Sequence, residues 1–301
     1  MTRVAILGAG AAGAQICCEY ALGGCSAVLI DADVVTEQAR QRVEESLRTA
    51  SQYGLAGPAE LERARALIEH GESRDPSRER LALIVEALPE RLDVKVAAIA
   101  DLASRHPEAL VASTSSTVSI SALGDGAGVP GRMLATRYGD PPLLNMLVEI
   151  LPARDTPPRL VERVSQLLRA IGKRPVVLAA ELPGLASTRL ELALLRECVD
   201  LVERGVASAE AVDELVRDGL IRGWRALGPL ASAATLDADA LRDRVEVVAP
   251  TLAGTLDAAS LEQIDRARLA QVADARERRD AALAAELREQ RARGRELRDE
   301  G

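Results

Sequence analysis

Glycines 8, 10 and 13 follow an apolar run, Val4-Ala5-Ile6-Leu7, and a second apolar run, Ala27-Val28-Leu29-Ile30, ends at Asp31. This spacing suits the binding of a phosphate-bearing ligand. Gly8 allows a tight turn, Gly10 lets the main chain approach a pyrophosphate, and Gly13 lets the following helix pack close to the strand. The helix N-terminus offers unpaired N–H donors to the anion. An acid about 20 residues beyond the turn takes ribose hydroxyls, so strand, GxGxxG turn, helix, strand and acid form a dinucleotide-binding fingerprint. Asp31 favours NAD over NADP, because a carboxylate accepts a hydrogen bond from the free 2′-hydroxyl and repels a 2′-phosphate. The neighbouring Ala32 and Asp33 bring no arginine to offset that repulsion.

The elements that must position these residues follow from the apolar pattern. Residues 35–52 and 58–70 read as helices separated by Gly57-Pro58, and 81–87 as a continuous apolar strand broken only by Glu86. Helix is expected over 90–104 and 157–171. Short strands are expected at 110–112, 133–135, 147–151 and 175–179. Strands alternating with helices imply a mostly parallel sheet covered on both faces. Past Pro183-Gly184 helical periodicity continues to the end, with turns expected at Gly205, Gly219, Gly228-Pro229 and Pro250-Thr251. The expected fold is an α/β Rossmann-type doubly wound domain, 1–182, followed by an all-α C-terminal domain, 183–301. A ligand would sit in the cleft between them, at the carboxyl ends of the strands. Residues 273–300 mix arginine and acid densely and, with only a thin apolar stripe, read as a solvated helix held by pairs at four-residue spacing in preference to the alternative of a dimer arm.

Composition narrows the function classes. The 301 residues are 48% apolar and 28% charged, as in a globular protein. A formal net charge of -8 argues against a nucleic-acid partner. No apolar stretch approaches the roughly 20 residues of a membrane span. Cys17, Cys18, Cys25 and Cys198 lack zinc-type spacing, so no metal is expected, and they read as reduced thiols in a cytoplasmic protein. Lys95 and Lys173 are the only lysines in an arginine-rich chain, which marks each as a residue with a task. His70 and His106 read as surface or helix-end residues.

Four segments together resemble the 3-hydroxyacyl-CoA dehydrogenase family, nearest its L-gulonate 3-dehydrogenase (lambda-crystallin) branch. The first is the glycine fingerprint. The second, Glu86-Ala87-Leu88-Pro89-Glu90-Arg91-Leu92-Asp93-Val94-Lys95, is similar to the family's post-strand motif, and the resemblance places Glu90 and Lys95 at the nicotinamide end of the cofactor. The third, Ala112 to Ile120, resembles the family's serine-rich turn and gives Ser116 the place of the serine that hydrogen-bonds the substrate oxygen. Read alone, such a cluster is a turn or helix cap. The fourth, Arg137 to Glu149, resembles the catalytic loop, in which a histidine acts as general base and a glutamate twelve residues later orients it.

Glu149 matches that glutamate, but Arg137 stands where the histidine would be. A guanidinium holds its proton and cannot serve as a base. Glu149 is expected to form a charge-assisted pair with it, open to bidentate geometry. In Pro183 to Leu190, Thr188 replaces the family's substrate-site asparagine, while Arg189 is kept. Ile171 to Val176, Asp218-Gly219-Leu220 and Leu227 to Leu230 look like the family's interdomain strand and helical-domain turns.

The resemblance implies an NAD-dependent oxidoreductase acting at the 3-position of a small 3-hydroxy or 3-oxo acid or acyl thioester. Arg137 would stabilise oxyanion charge, Ser116 and Thr188 would position the substrate oxygen, and the proton would come from Ser116, Tyr138 or water. The resemblance also implies a homodimer. The alternative is an NAD-binding homologue with a redox-neutral or non-catalytic role.

Overall fold

The computed structural model describes residues 1–31, 37–72, 80–236 and 238–248. The first strands form where the apolar runs predicted them: β1 (Arg3–Leu7) and β2 (Ser26–Asp31) flank helix α1 (Ala11–Leu22). Helices α2 (Glu37–Gln52) and α3 (Pro58–Leu67) lead to β3 (Ile68–Glu72). Then come β4 (Leu83–Glu86), α4 (Leu92–Arg105), β5 (Leu110–Ser113) and α5 (Ile120–Gly126). Strands β6 (Met133–Tyr138) and β7 (Leu147–Pro152), helix α6 (Pro158–Ala170) and strand β8 (Arg174–Val177) complete the sheet, and α7 (Leu185–Glu203) follows.

The eight strands lie in the order β3-β2-β1-β4-β5-β6-β7-β8. All pair in parallel except β6 with β7, which pair antiparallel with Arg137 directly opposite Glu149. The chain reverses its direction of winding between β1 and β4, and this is the crevice where doubly wound sheets bind ligands. One core, built on α1, α2, α3 and α6, covers one face of the sheet, and a second, built on α4 and α5 with Leu185, covers the other. In β6 and β7 the period of two sends Leu134, Tyr138, Val148 and Ile150 into the first core and Ala135 and Leu151 into the second. Arg137 and Glu149 therefore belong to the second face.

Three local expectations are corrected. Residues 68–70 leave the helix and form edge strand β3, so His70 pairs beside Leu29 in a sheet. Arg3 holds this strand with a bidentate pair to Glu69, at 2.8 and 2.6 Å, and strand pairing overrides the helical period. A helix not foreseen in the sequence, α5, starts after Ser119, whose hydroxyl accepts the Ala122 amide. Gly219 is not a turn but lies within the π-helical stretch Leu215–Leu220.

The first compact unit runs from Met1 to Arg189, and a second begins at Leu190. The boundary expected at 182/183 stands just ahead of α7, whose opening turn belongs to the first unit. The described part of the second unit is helical, with α8 (Ala209–Glu214), α9 (Ile221–Leu227), α10 (Pro229–Ala234) and α11 (Ala238–Val248). Ala32, Asp33, Pro250-Thr251 and the charged segment 273–300 lie outside the described residues. Among the described residues, no helix is long and apolar enough to cross a membrane.

Candidate active site

The three fingerprint glycines have distinct steric reasons. Gly8 adopts φ +105°, and a Cβ there would lie 2.5 Å from the Ala87 carbonyl oxygen. A Cβ on Gly13 would fall 1.9 Å from the Gly8 carbonyl oxygen, so only glycine lets α1 approach the turn. A Cβ on Gly10 would meet nothing within 4 Å, which leaves the main chain open to a ligand from outside. Gly10 caps α1 without a side chain, and the first turn carries no acid to compete for the amides. Arg42 donates to the Ala9 carbonyl at 2.9 Å and steadies the loop. Beside the turn, Leu7, Ile30, Leu88, Val94, Ala98 and Leu102 line a largely apolar cavity, with Asp31 and Asp101 also among its lining residues. Such a cavity fits a purine base whose ribose reaches the carboxylate. These residues thus fit NAD, and the wall supplied by α4 lies outside the glycine fingerprint.

Next to this seat lies a buried polar network. Lys95 and Glu86 are both fully buried and pair at 2.7 Å. Glu86 also accepts the Leu88 amide at 2.6 Å and the Ser113 hydroxyl at 2.5 Å, while Lys95 donates to the Leu88 carbonyl at 2.9 Å. Lys95 thus braces the β4–α4 connection from beneath. Glu90, half-exposed and 4.0 Å from the Lys95 ammonium, accepts the hydroxyls of Ser115 and Thr117 at 2.7 and 3.1 Å. In the sequence Glu86 stands only as a member of the post-strand motif. Its signal was a charge at the end of an otherwise apolar strand, which a buried partner must compensate.

Within the serine-rich turn the hydroxyls divide their tasks. Ser113 accepts the Ser115 amide and Ser115 the Val118 amide, so both fold the turn. Ser116 is half-buried, and its carbonyl accepts the Gly184 amide at 2.9 Å, which ties the turn to the start of α7. There Gly184 and Leu185 both take left-handed backbone, φ +82° and +55°, a conformation disfavoured for leucine. The turn presents the first amides of α7 to Glu149.

The pairing of Glu149 differs from expectation. Its carboxylate accepts the Ala186 and Ser187 amides, each at 3.0 Å, and the Ser187 hydroxyl. Against Arg137 it makes one contact, Nε to Oε2 at 3.9 Å, which is not bidentate. A carboxylate at a helix N-terminus is held by amides and dipole together, and this geometry outcompetes the guanidinium. The Arg137 Nε is buried and has no hydrogen-bond partner in the described structure, and neither has the buried Oγ1 of Thr188. Ser116, Arg137, Glu149 and Thr188 are thus gathered at one end of the first unit, linked by Glu149 to Ser187 and by Ser116 to Gly184.

Tyr138 is removed from the proton relay. It lies on the opposite sheet face from Arg137, buried, with its hydroxyl 3.1 Å from that of Tyr20. Burial drives its pKa well above the ordinary tyrosine value. His70 and His106 stand away from the site, at the sheet edge and the C-cap of α4, and burial lowers the pKa of each. Among the described residues, no group of three or more His, Cys, Asp or Glu side chains could hold a metal.

A glycine turn at the switch point, an acid ending β2 and an apolar base pocket define an NAD-binding Rossmann protein. The family model for the 3-hydroxyacyl-CoA dehydrogenase NAD-binding domain matches residues 3–181, and the chain belongs to that family. It is 30% identical over 232 residues to 5-formyl-3-hydroxy-2-methylpyridine 4-carboxylate 5-dehydrogenase of Mesorhizobium japonicum, covering 76% of this chain and 74% of the relative. To L-carnitine dehydrogenase of a Pseudomonas species it is 31% identical over 252 residues, 82% and 77% of the two chains. Rabbit (Oryctolagus cuniculus) lambda-crystallin is 30% identical over 230 residues, 75% and 72% of the two chains. Among solved structures, the 5-formyl-3-hydroxy-2-methylpyridine 4-carboxylic acid 5-dehydrogenase, described as an NAD+-dependent dismutase, superposes with a TM-score of 0.75 at 25% identity. That match covers 95% of this chain and 98% of the other.

Proposed function

We propose that this chain is an NAD(H)-dependent oxidoreductase acting at the 3-position of a 3-hydroxy or 3-oxo acid or acyl thioester, and that it works as a ketoreductase. The observation that carries this reading is the replacement of a base by a fixed cation, Arg137, beside a carboxylate already engaged by α7. A cation aimed at developing negative charge stabilises an oxyanion. It cannot create one by removing a proton from an alcohol, so reduction is favoured over oxidation.

The nicotinamide, when bound, supplies the hydride. Ser116 and Thr188 would hold the carbonyl oxygen, Arg137 would stabilise charge on it, and the proton that completes the alcohol would come from the Ser116 hydroxyl or from water. Glu149 acts through α7, keeping Thr188 in place. The names of the relatives, dehydrogenases of hydroxy and formyl compounds, support the reaction class. The C-terminal region 183–301, expected from its sequence to be helical, would contribute to substrate binding and to a homodimer.

The test is NADH oxidation by the wild type and an Arg137→His variant with a panel of 3-oxo acids and thioesters. Turnover by the wild type, lost in the variant, is expected. A second reading, an NAD-binding homologue with a redox-neutral or non-catalytic role, draws on the missing base. It predicts an inert wild type that still binds NADH, and a variant that gains dehydrogenase activity.

A further inference from the structure

We infer that Arg137 selects a free 3-oxo carboxylate over an uncharged ester or thioester, by gripping the carboxylate and the reacting oxygen together. This inference rests on the reductase reading and specifies the substrate class at the same site. Its basis is the state of the guanidinium. Arg137 is about one-quarter exposed, and its one ion-pair contact is the 3.9 Å approach of Nε to Glu149. That carboxylate already accepts three donors from α7. Among the described residues the Arg137 side chain makes no hydrogen bond, its buried Nε included, and the buried Thr188 hydroxyl is likewise without a partner.

A partly buried guanidinium without a hydrogen-bonded anion leaves a desolvated cation short of compensation. Its Nη pair matches two oxygens side by side, not one. In a 3-oxo acid the carbonyl oxygen and one carboxylate oxygen are separated by three carbons and fold to the same side, which places two acceptors before that pair. The carboxylate then contributes charge that a thioester lacks. Hydride addition concentrates further charge on the second acceptor, where the same cation already lies. Arg137 is thus assigned both substrate recognition and oxyanion stabilisation, with no change in the balance of the reduction: hydride to carbon, proton to oxygen.

Binding can be read without turnover, because a ketone and oxidised cofactor form a dead-end complex. The NAD+-loaded protein is titrated calorimetrically with acetoacetate and 3-oxohexanoate, then with their methyl esters and the acetoacetyl N-acetylcysteamine thioester. The free acids are expected to bind at least ~10-fold tighter than their esters, and Arg137→Gln to weaken acid binding by ~30-fold or more with NAD+ affinity within about twofold. Arg137→Lys should restore part of the loss. Esters or thioester binding as tightly as the acids to the wild type, or acid binding unchanged in Arg137→Gln, would overturn the inference, as would NAD+ binding without acid binding. The ester comparison needs no variant. Failure of the wild type to bind NAD+ would instead overturn the cofactor reading on which the reductase proposal stands.

Discussion

Arg137 and Glu149 show how far one residue's partners can alter the role of another. The aligned glutamate is present, yet its oxygens face α7, and the cation opposite is left with a long, single contact. The glycines make a sharper case, because the same substitution should have opposite effects three residues apart. Gly10→Ala is expected to leave the melting temperature nearly unchanged, since its Cβ would meet open space, but to lower NAD affinity by ~10-fold or more through the lost close approach. Gly13→Ala should destabilise the fold itself, because its Cβ would overlap the Gly8 carbonyl. Thermal melts beside cofactor titrations separate the two. At Lys95, replacement by methionine would strand the buried Glu86 carboxylate and cost about 3–5 kcal/mol in denaturant unfolding, whereas pairing it with Glu86→Gln should recover part of that loss. The lysine was visible in the sequence as a rarity, but its fully buried partner was not.

Among the elements, α1 does most to connect cofactor seat and core. Its N-terminus opens on the glycine turn, and its later turns bury Cys17, Cys18 and Tyr20. Burial lifts the Cys18 thiol from 9.0 to about 12 and drives Cys17 and Tyr20 up as well. Each group stays protonated in the fold at pH values where the unfolded chain has already released its proton. For Cys18 the stability contribution is therefore full below about pH 9 and is lost as pH rises toward 12, at roughly 1.4 kcal/mol per pH unit, with Cys17 and Tyr20 acting in the same direction. Urea unfolding at pH 8 and pH 10.5 measures this. A flat profile would mean that these groups are solvated in the native state.

The elements were legible where a period dominated. The runs that became β1, β2 and β4 are apolar on both faces, which only a sheet covered on both sides accommodates. At β3 the sequence predicts helix because Ile68-Glu69-His70 continues a helical period, and pairing to β2 together with the Arg3–Glu69 contact decides for strand. Helix α5 was hidden inside a serine-rich segment whose hydroxyls serve as caps.

For the whole molecule, the described surface carries one feature that the proposed dimer would use. On α7, Leu192, Leu195, Val199 and Val202 are exposed and follow a 3-4-3 spacing, a stripe suited to packing against another helix. A homodimer burying this stripe should dissociate when Leu195 is replaced by arginine. Sedimentation velocity is expected to show the wild type at twice the monomer mass and Leu195→Arg at the monomer mass, with circular dichroism unchanged. A monomeric wild type would remove the dimer from the proposal.

The chain's order of apolar runs, its glycine spacing and the acid after the second run by themselves determined a doubly wound sheet with an NAD seat, because backbone geometry and local sterics are encoded within a few residues. The identity of Arg137 likewise excluded an ordinary base before any coordinates, since guanidinium chemistry does not depend on context. What the tertiary structure alone decided was partnership. Glu149 turns to the amides of α7, Lys95 finds Glu86 beneath the turn, and Tyr138 points to the far face of the sheet. Each outcome rests on competition among groups distant in sequence, where distance, burial and the number of available donors select the winner.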